Sequence, residues 1–427
     1  MHPNALLDLA TELLRAVLKF DQPADVVVSA FFRKHRTLGA RERHALAETT
    51  YAVLRQRLLF QHLARSEGDP KGTGGSGALE RRLAILAWQG SEAFLRSALE
   101  PQEQAWLVEV QKVDRSTLPD KLRHNLPDWL AAPLRERLGE DFWPLVQALG
   151  EPAPLDLRVN LLKGKREDAQ RQLAEAGFDA APTPHSPWGL RLQGKPALNK
   201  LDAFTHGLVE VQDEGSQLLA LLTDPKRGEM VVDFCAGAGG KTLALGAVMR
   251  STGRLYAFDV SGHRLDALKP RLARSGLSNV HPAQIAHERD ERIKRLTGKI
   301  DRVLVDAPCS GLGTLRRNPD LKWRQSSKSV AELQAKQGAI LASAARLLKP
   351  GGRLVYATCS LLEEENEHIA DAFTAGHGAD FSPLPALDAL RAARADAPEP
   401  LVQGPYLRLW PQRHQTDGFF AAVWQRR

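Results

Sequence analysis

Apolar residues recur at three-and-four spacing through the first third of the chain. LLDLATELLRAVL, VVVSAFFRK and ARERHALAETTYAVLRQRLLFQHLA each read as an amphipathic helical run. Alternating β-rich runs are scarce there, so residues 1–147 are expected to form an all-α domain. A glycine-rich break, GDPKGTGGSG (68–77), divides it and reads as a loop. After EPAP (151–154) the pattern changes. LDLRVNLL and WGLRLQG read as strands, and between them KREDAQRQLAEAG reads as a helix stopped by Gly177. Residues 148–222 are thus expected to be a small α+β subdomain. From 223 to 427 short β-rich runs (EMVVDFC, RLYAFDV, DRVLVDAP, RLVYATCS) alternate with helical segments. That alternation predicts an α/β, Rossmann-like domain: a parallel sheet with helices on both faces. In such sheets ligands bind at the carboxyl ends of the strands.

Composition narrows the function classes. At 427 residues the chain is too long for one ordinary domain. No stretch approaches the roughly 18 uncharged apolar residues of a membrane span. Asp8, Glu12 and Arg15 interrupt the N-terminal apolar run, which reads as a helix and not a signal peptide. Cys235, Cys309 and Cys359 are the three cysteines, too few and odd in number for a disulfide framework. A reducing, cytoplasmic location is expected. Without CxxC, HExxH or GxSxG, neither a metal site nor a serine-hydrolase elbow is expected. The excess of 58 Lys+Arg over 51 Asp+Glu suits a nucleic-acid partner, and equally a plain basic surface.

Four segments carry candidate chemistry. In VVDFCAGAGGKTLAL (231–245) a strand enters a tight turn and then a helix, and Gly237, Gly239 and Gly240 let backbone amides approach a ligand. The turn matches neither a Walker A loop nor GxGxxG, and a purely structural turn is the alternative. Asp259 ends the next strand, LYAFDVS, 20 residues after Gly239. An acid there can accept both hydroxyls of a ribose, or cap the following helix. DRVLVDAPCSGLGTLRRNPDLKWR (301–324) delivers Asp306, Pro308 and Cys309 to the strand edge. Arg316, Arg317, Lys322, Arg324 and Trp323 follow, a set that suits phosphates and an unstacked base, or a solvated loop. In LLKPGGRLVYATCSLLEEENE (347–367), Cys359 ends a further strand. Three cysteines at three strand ends are hard to explain as core packing and favour thiol chemistry.

Taken together, VQDEGSQL (211–218), DFCAGAGGKT (233–242), DAPCSGLGTLRRNPD (306–320) and YATCSLLEEEN (356–366) closely resemble the Nop/Sun family of RNA 5-methylcytosine methyltransferases, nearest its bacterial RsmB type. The resemblance covers about residues 150–427. LGARERHALAETTYAVLR (38–55) resembles a NusB-like RNA-binding domain. The resemblance implies S-adenosyl-L-methionine as cofactor, cradled by Cys235, Ala236, Gly237, Ala238, Gly239, Gly240 and Lys241, with Asp259 at the ribose and Asp306 near the methyl. The family's loop reads CAAPGGK where this chain has CAGAGGK. Its usual acid for the adenine has no clear counterpart here, and His287, Glu288 and Asp290 stay open. The resemblance implies Cys359 as the nucleophile, adding to carbon 6 of cytosine so that carbon 5 can take the methyl. Cys309 would assist release, and Asp306 would bond the ring. Arg316, Arg317 and Trp323 would bind the RNA. The expected substrate is ribosomal RNA, with transfer RNA or a catalytically silent RNA-binding role as alternatives. The chain is expected to act as a monomer, without metal or membrane.

Overall fold

A computed structural model of the chain describes residues 2–65, 76–194 and 197–427. Up to residue 75, the glycine-rich break at 68–77 lies outside the described residues. The chain divides into two compact units. Met1–Pro152 together with Leu315–Ser326 forms one, and Ala153–Thr314 with Ser327–Arg427 forms the other. The sequence pattern predicts boundaries at 147/148 and 222/223; the division into compact units runs to Pro152 and groups the small sheet with the main one.

The first unit is helical. Its opening helix, Pro3–Val17, starts at proline, whose fixed φ suits a first turn. It buries Leu6, Leu7, Ala10, Leu13, Leu14 and Val17, the three-and-four positions of the sequence. The run read as one helix over 40–64 is two, Ala40–Arg55 and Arg57–Arg65. The break has a cause far away in sequence. The last carbonyls of the first helix accept from segment 315–326: Leu54 O from Trp323 Nε1 at 2.9 Å, and Arg55 O from Lys322 Nζ at 2.8 Å. Those donors satisfy carbonyls that a helix end leaves unpaired.

The second unit holds two sheets. Strands β1 (Leu155–Val159), β2 (Ala180–Pro182), β3 (Gly189–Leu192) and β4 (Val209–Val211) form an antiparallel sheet in the order β2-β3-β1-β4. Helix Arg166–Glu175 packs on it and gives way to Gly177, whose φ is +82°. The main sheet contains β5 (Met230–Asp233), β6 (Arg254–Asp259), β7 (Val280–Gln284), β8 (Ile300–Asp306), β9 (Leu348–Thr358), β10 (Phe381–Pro383), β11 (Val402–Gln403), β12 (Tyr406–Leu409) and β13 (Phe419–Arg426). Their order is β11-β12-β13-β9-β8-β5-β6-β7, with β10 paired to β13. β7, β6, β5, β8 and β9 are mutually parallel, as the alternating pattern predicts. β13 runs antiparallel against β9, a pairing the pattern did not reveal. Strand order reverses beside β5, where β6 lies on one side and β8 on the other. Doubly wound sheets open their ligand crevice at that switch point.

The motif VQDEGSQL joins the small sheet to the main one. Asp213 caps helix Glu214–Thr223 by accepting from Gly215 N at 2.8 Å, and also accepts from Asp417 N at 3.1 Å. Glu214, wholly buried, accepts from the amides of His185 and Ser186.

Candidate active site

The loop after β5 is shaped by its glycines. Gly239 has φ +81°, and a Cβ there would lie 2.1 Å from Leu268 Cδ1, so only glycine fits. Gly237 has φ +56° and faces open space. Asp259, at the end of β6, accepts from Gly237 N at 2.8 Å and from Ser261 N at 2.7 Å. It is thus both the pin of the glycine loop and a buried acid at the crevice. Asp233 ends β5 fully buried. Thr242 Oγ1 donates to its Oδ2 at 2.7 Å, while Oδ1 has no protein partner. Burial pushes the Asp233 carboxyl up to about 7, against the Thr242 bond.

Two arginines that the motifs did not single out hold this loop from behind. Arg158 on β1 is 2 % exposed and donates to Gly240 O at 2.6 Å and to Gln212 Oε1 at 2.6 Å. Arg271 donates to Ala238 O at 2.6 Å and pairs with the buried Glu210. In the sequence nothing marked Arg158, because it lies on a strand of the other sheet.

The two cysteines and Asp306 expected to act in the reaction converge at the ends of β8 and β9. The register pairs Asp306 with Ala357, so these two strands end side by side. Cys309 and Cys359, 50 residues apart in sequence, bring their sulfurs to 3.3 Å. The contact with Cys359, then burial, then the nearby carboxylates push the Cys309 thiol well up. Lys241 Nζ and Asp306 Oδ2 form an ion pair at 2.7 Å. Burial alone pulls the Lys241 ammonium down, but Asp306, with Cys359 and Asp233 adding to it, more than offsets this and holds it above its usual range. Gly313 N donates to Cys359 O at 2.8 Å and fixes the backbone at Cys359. A Cβ on Gly313 would lie 2.0 Å from Gly418 O.

Other candidates fall elsewhere. Cys235 packs against the apolar core, and burial with three nearby carboxylates raises its thiol, which suits packing and not reaction. Asp290 caps helix Glu291–Lys294, accepting from the amides of Ala286 and Arg292. His287 accepts from Arg289 N. The expectation of an RNA-gripping basic loop meets a different arrangement. Arg316 and Lys322 are 9 % and 6 % exposed, and Arg316 donates to Pro152 O at 3.4 Å. Trp323 packs on the helical core, and Arg317 is half-buried. Arg316, Lys322 and Trp323 turn inward and tie 315–326 to the helical unit. Sequence reasoning also passed over Glu365. This buried acid accepts from Ser310 and Ser360, the residues after the two cysteines. The repeated Cys-Ser pair was its only signal.

Comparison with known proteins places this geometry. Residues 220–425 match the family model of the 16S rRNA methyltransferases RsmB/F. Residues 126–199 match the ferredoxin-like domain of the same proteins, beginning ahead of β1 in the helical unit. The chain belongs to the RsmB/F methyltransferase family. A probable ribosomal RNA small subunit methyltransferase B of Synechocystis is 30% identical over 97% of this chain and 98% of its own length. Ribosomal RNA small subunit methyltransferase B of Sodalis glossinidius is 36% identical over 75% of this chain and 69% of its own. A methyltransferase homolog protein from Pyrococcus horikoshii, of known structure, superposes with a TM-score of 0.62 at 30% identity, covering 73% of this chain and 99% of that one. The family's methyl donor is S-adenosyl-L-methionine, and the residues present fit it. The fit rests on a glycine turn open at Gly237, the buried acid Asp259 beside it, and the unpartnered Oδ1 of Asp233.

Proposed function

We propose that the chain methylates carbon 5 of a cytosine in small-subunit ribosomal RNA, through a covalent bond between Cys359 and the ring. The observation that carries this reading is the pair of thiols at 3.3 Å beside the Lys241–Asp306 ion pair. Cytosine is a poor nucleophile at carbon 5. Addition of the Cys359 thiolate at carbon 6 makes carbon 5 an enamine-type carbanion. S-adenosyl-L-methionine, when bound, supplies the electrophilic methyl. Asp306 offers an acceptor for the ring's exocyclic amine, and Lys241, paired with it at 2.7 Å, holds that carboxylate in place. The hydrogen on carbon 5 then leaves as a proton, the carbon 5–carbon 6 double bond re-forms, and Cys359 departs. Cys309, in contact with the departing sulfur, assists that elimination. Gly237, Gly239, Gly240 and Asp259 bind the donor, and the chain works alone and without a metal.

The test is nucleoside analysis after incubating the purified protein and donor with unmodified small-subunit ribosomal RNA or with transfer RNA. We expect 5-methylcytidine in ribosomal RNA only. Product in transfer RNA alone would move the substrate assignment, and no product in either would favour a silent binding role.

A further inference from the structure

We propose that Glu365 is a positioning residue for methyl transfer: its carboxylate clamps the loop bearing Cys309 to the loop bearing Cys359 and so sets the geometry of the two thiols. The proposal rests on the covalent reading above. Glu365 is the last of three consecutive glutamates. Glu363 is exposed, Glu364 is half-buried, and Glu365 is entirely buried. A buried carboxylate is costly unless donors replace its water. Four do so. Oε1 accepts from Ser310 N at 2.8 Å and Gln337 Nε2 at 3.0 Å. Oε2 accepts from Ser310 Oγ at 2.5 Å and Ser360 Oγ at 2.5 Å.

Each donor bears on a thiol. Ser310 follows Cys309, and Ser360 follows Cys359. Gln337 Nε2 also donates to Pro308 O at 3.0 Å, so the residues on both sides of Cys309 are tied to one acid. The two hydroxyls lie 3.2 Å apart, next to the sulfur pair at 3.3 Å. The clamp itself has little slack. Tyr356 Oη donates to Glu365 O at 2.6 Å, and Asn366 Nδ2 donates to Ser360 O at 3.0 Å. Glu365 also contributes to the rise of the Cys309 thiol, so its charge and its geometry act on the same group.

The experiment compares Glu365→Asp with wild type, using two readouts. The first needs no RNA. Diamide takes the two thiol hydrogens, becoming the hydrazine as the sulfurs join, and mass spectrometry follows the Cys309–Cys359 disulfide peptide. Glu365→Asp keeps the charge but shortens the reach by one methylene, so the disulfide should form about tenfold more slowly. In Glu365→Gln the serine hydroxyls can turn to accept from the new amide and the lost charge favours the Cys309 thiolate, so the charge-keeping variant carries this readout. The second is turnover on ribosomal RNA. For Glu365→Asp kcat should fall about a hundredfold, the scale expected for a 1 Å misplacement, with KM for the donor unchanged. If Glu365→Asp fails to fold by circular dichroism, Ser360→Ala removes one arm and should move both readouts the same way, less far. A wild-type disulfide rate in the folded variant would overturn the clamp even if the enzyme methylates RNA. A slowed rate in a protein whose wild type methylates no RNA would keep the clamp and sink the functional reading.

Discussion

At the scale of single residues, two features of the sequence carried most of the site. Glycines after a strand and an acid at the end of the next strand pointed to the crevice, because close backbone approach leaves few residue types to choose from. The structure gives Asp259 a duty apart from the expected ribose contact: it holds Gly237 N and Ser261 N. Asp259→Ala should therefore weaken donor binding by more than one contact. A charge-assisted hydrogen bond is worth about 1.5–3 kcal/mol, or roughly 10- to 100-fold in affinity. Calorimetry reads this directly, and an unchanged affinity would take Asp259 out of the site. Arg158 and Glu365 were not legible as site residues. Their roles depend on partners 82 and 55 residues away, Gly240 and Ser310, which no local pattern encodes.

At the scale of elements, periodicity located the parallel strands and most helices. It misread 315–326. Cations around a tryptophan suit phosphate binding by composition, yet the same side chains can cap a helix, and only the fold decides. Arg316→Ala should thus lower the unfolding temperature of the protein and leave the salt dependence of RNA binding unchanged. Removing its bond to the carbonyl of Pro152, an exposed residue whose carbonyl can turn to water, gives up the net worth of one ordinary hydrogen bond, about 0.5–1.5 kcal/mol. A flatter salt slope with wild-type stability would restore the phosphate-binding reading. Lys322 gives a pH signature. Burial, with repulsion from Arg55, pulls its ammonium down from 10.5 to about 7. The unfolded chain therefore holds more protons than the folded one between those values, and stability from this group rises as pH climbs from about 7 towards about 10.5. Melting temperatures at about pH 6.5 and about pH 9.5 should show that rise in wild type and a smaller one in Lys322→Met. Equal rises would place the charge in solvent.

At the scale of the molecule, the chain organisation was only partly legible. Alternating strands and helices from 228 onward announced the Rossmann-like sheet, but compactness depends on contacts that cross the chain. Helix Ala40–Arg55 takes its last donors from residues 267 and 269 positions away, so 315–326 counts with the helices although it directly follows the Cys309 loop. The small sheet counts with the main one for a similar reason: Arg158, Asp213 and Glu210 all bond to residues of the second sheet's loops and helices. This organisation would allow a division of labour between two thiols at the ends of β8 and β9. A denaturing gel tests it most directly. Cys309→Ala and Cys359→Ala are each incubated with small-subunit ribosomal RNA and S-adenosyl-L-methionine, and the gel is read for a protein–RNA band. With Cys359 as nucleophile and Cys309 serving elimination, Cys309→Ala should trap the bonded complex as a slow band, and Cys359→Ala should give neither band nor 5-methylcytidine. A band with Cys359→Ala and none with Cys309→Ala would contradict the assignment and make Cys309 the nucleophile.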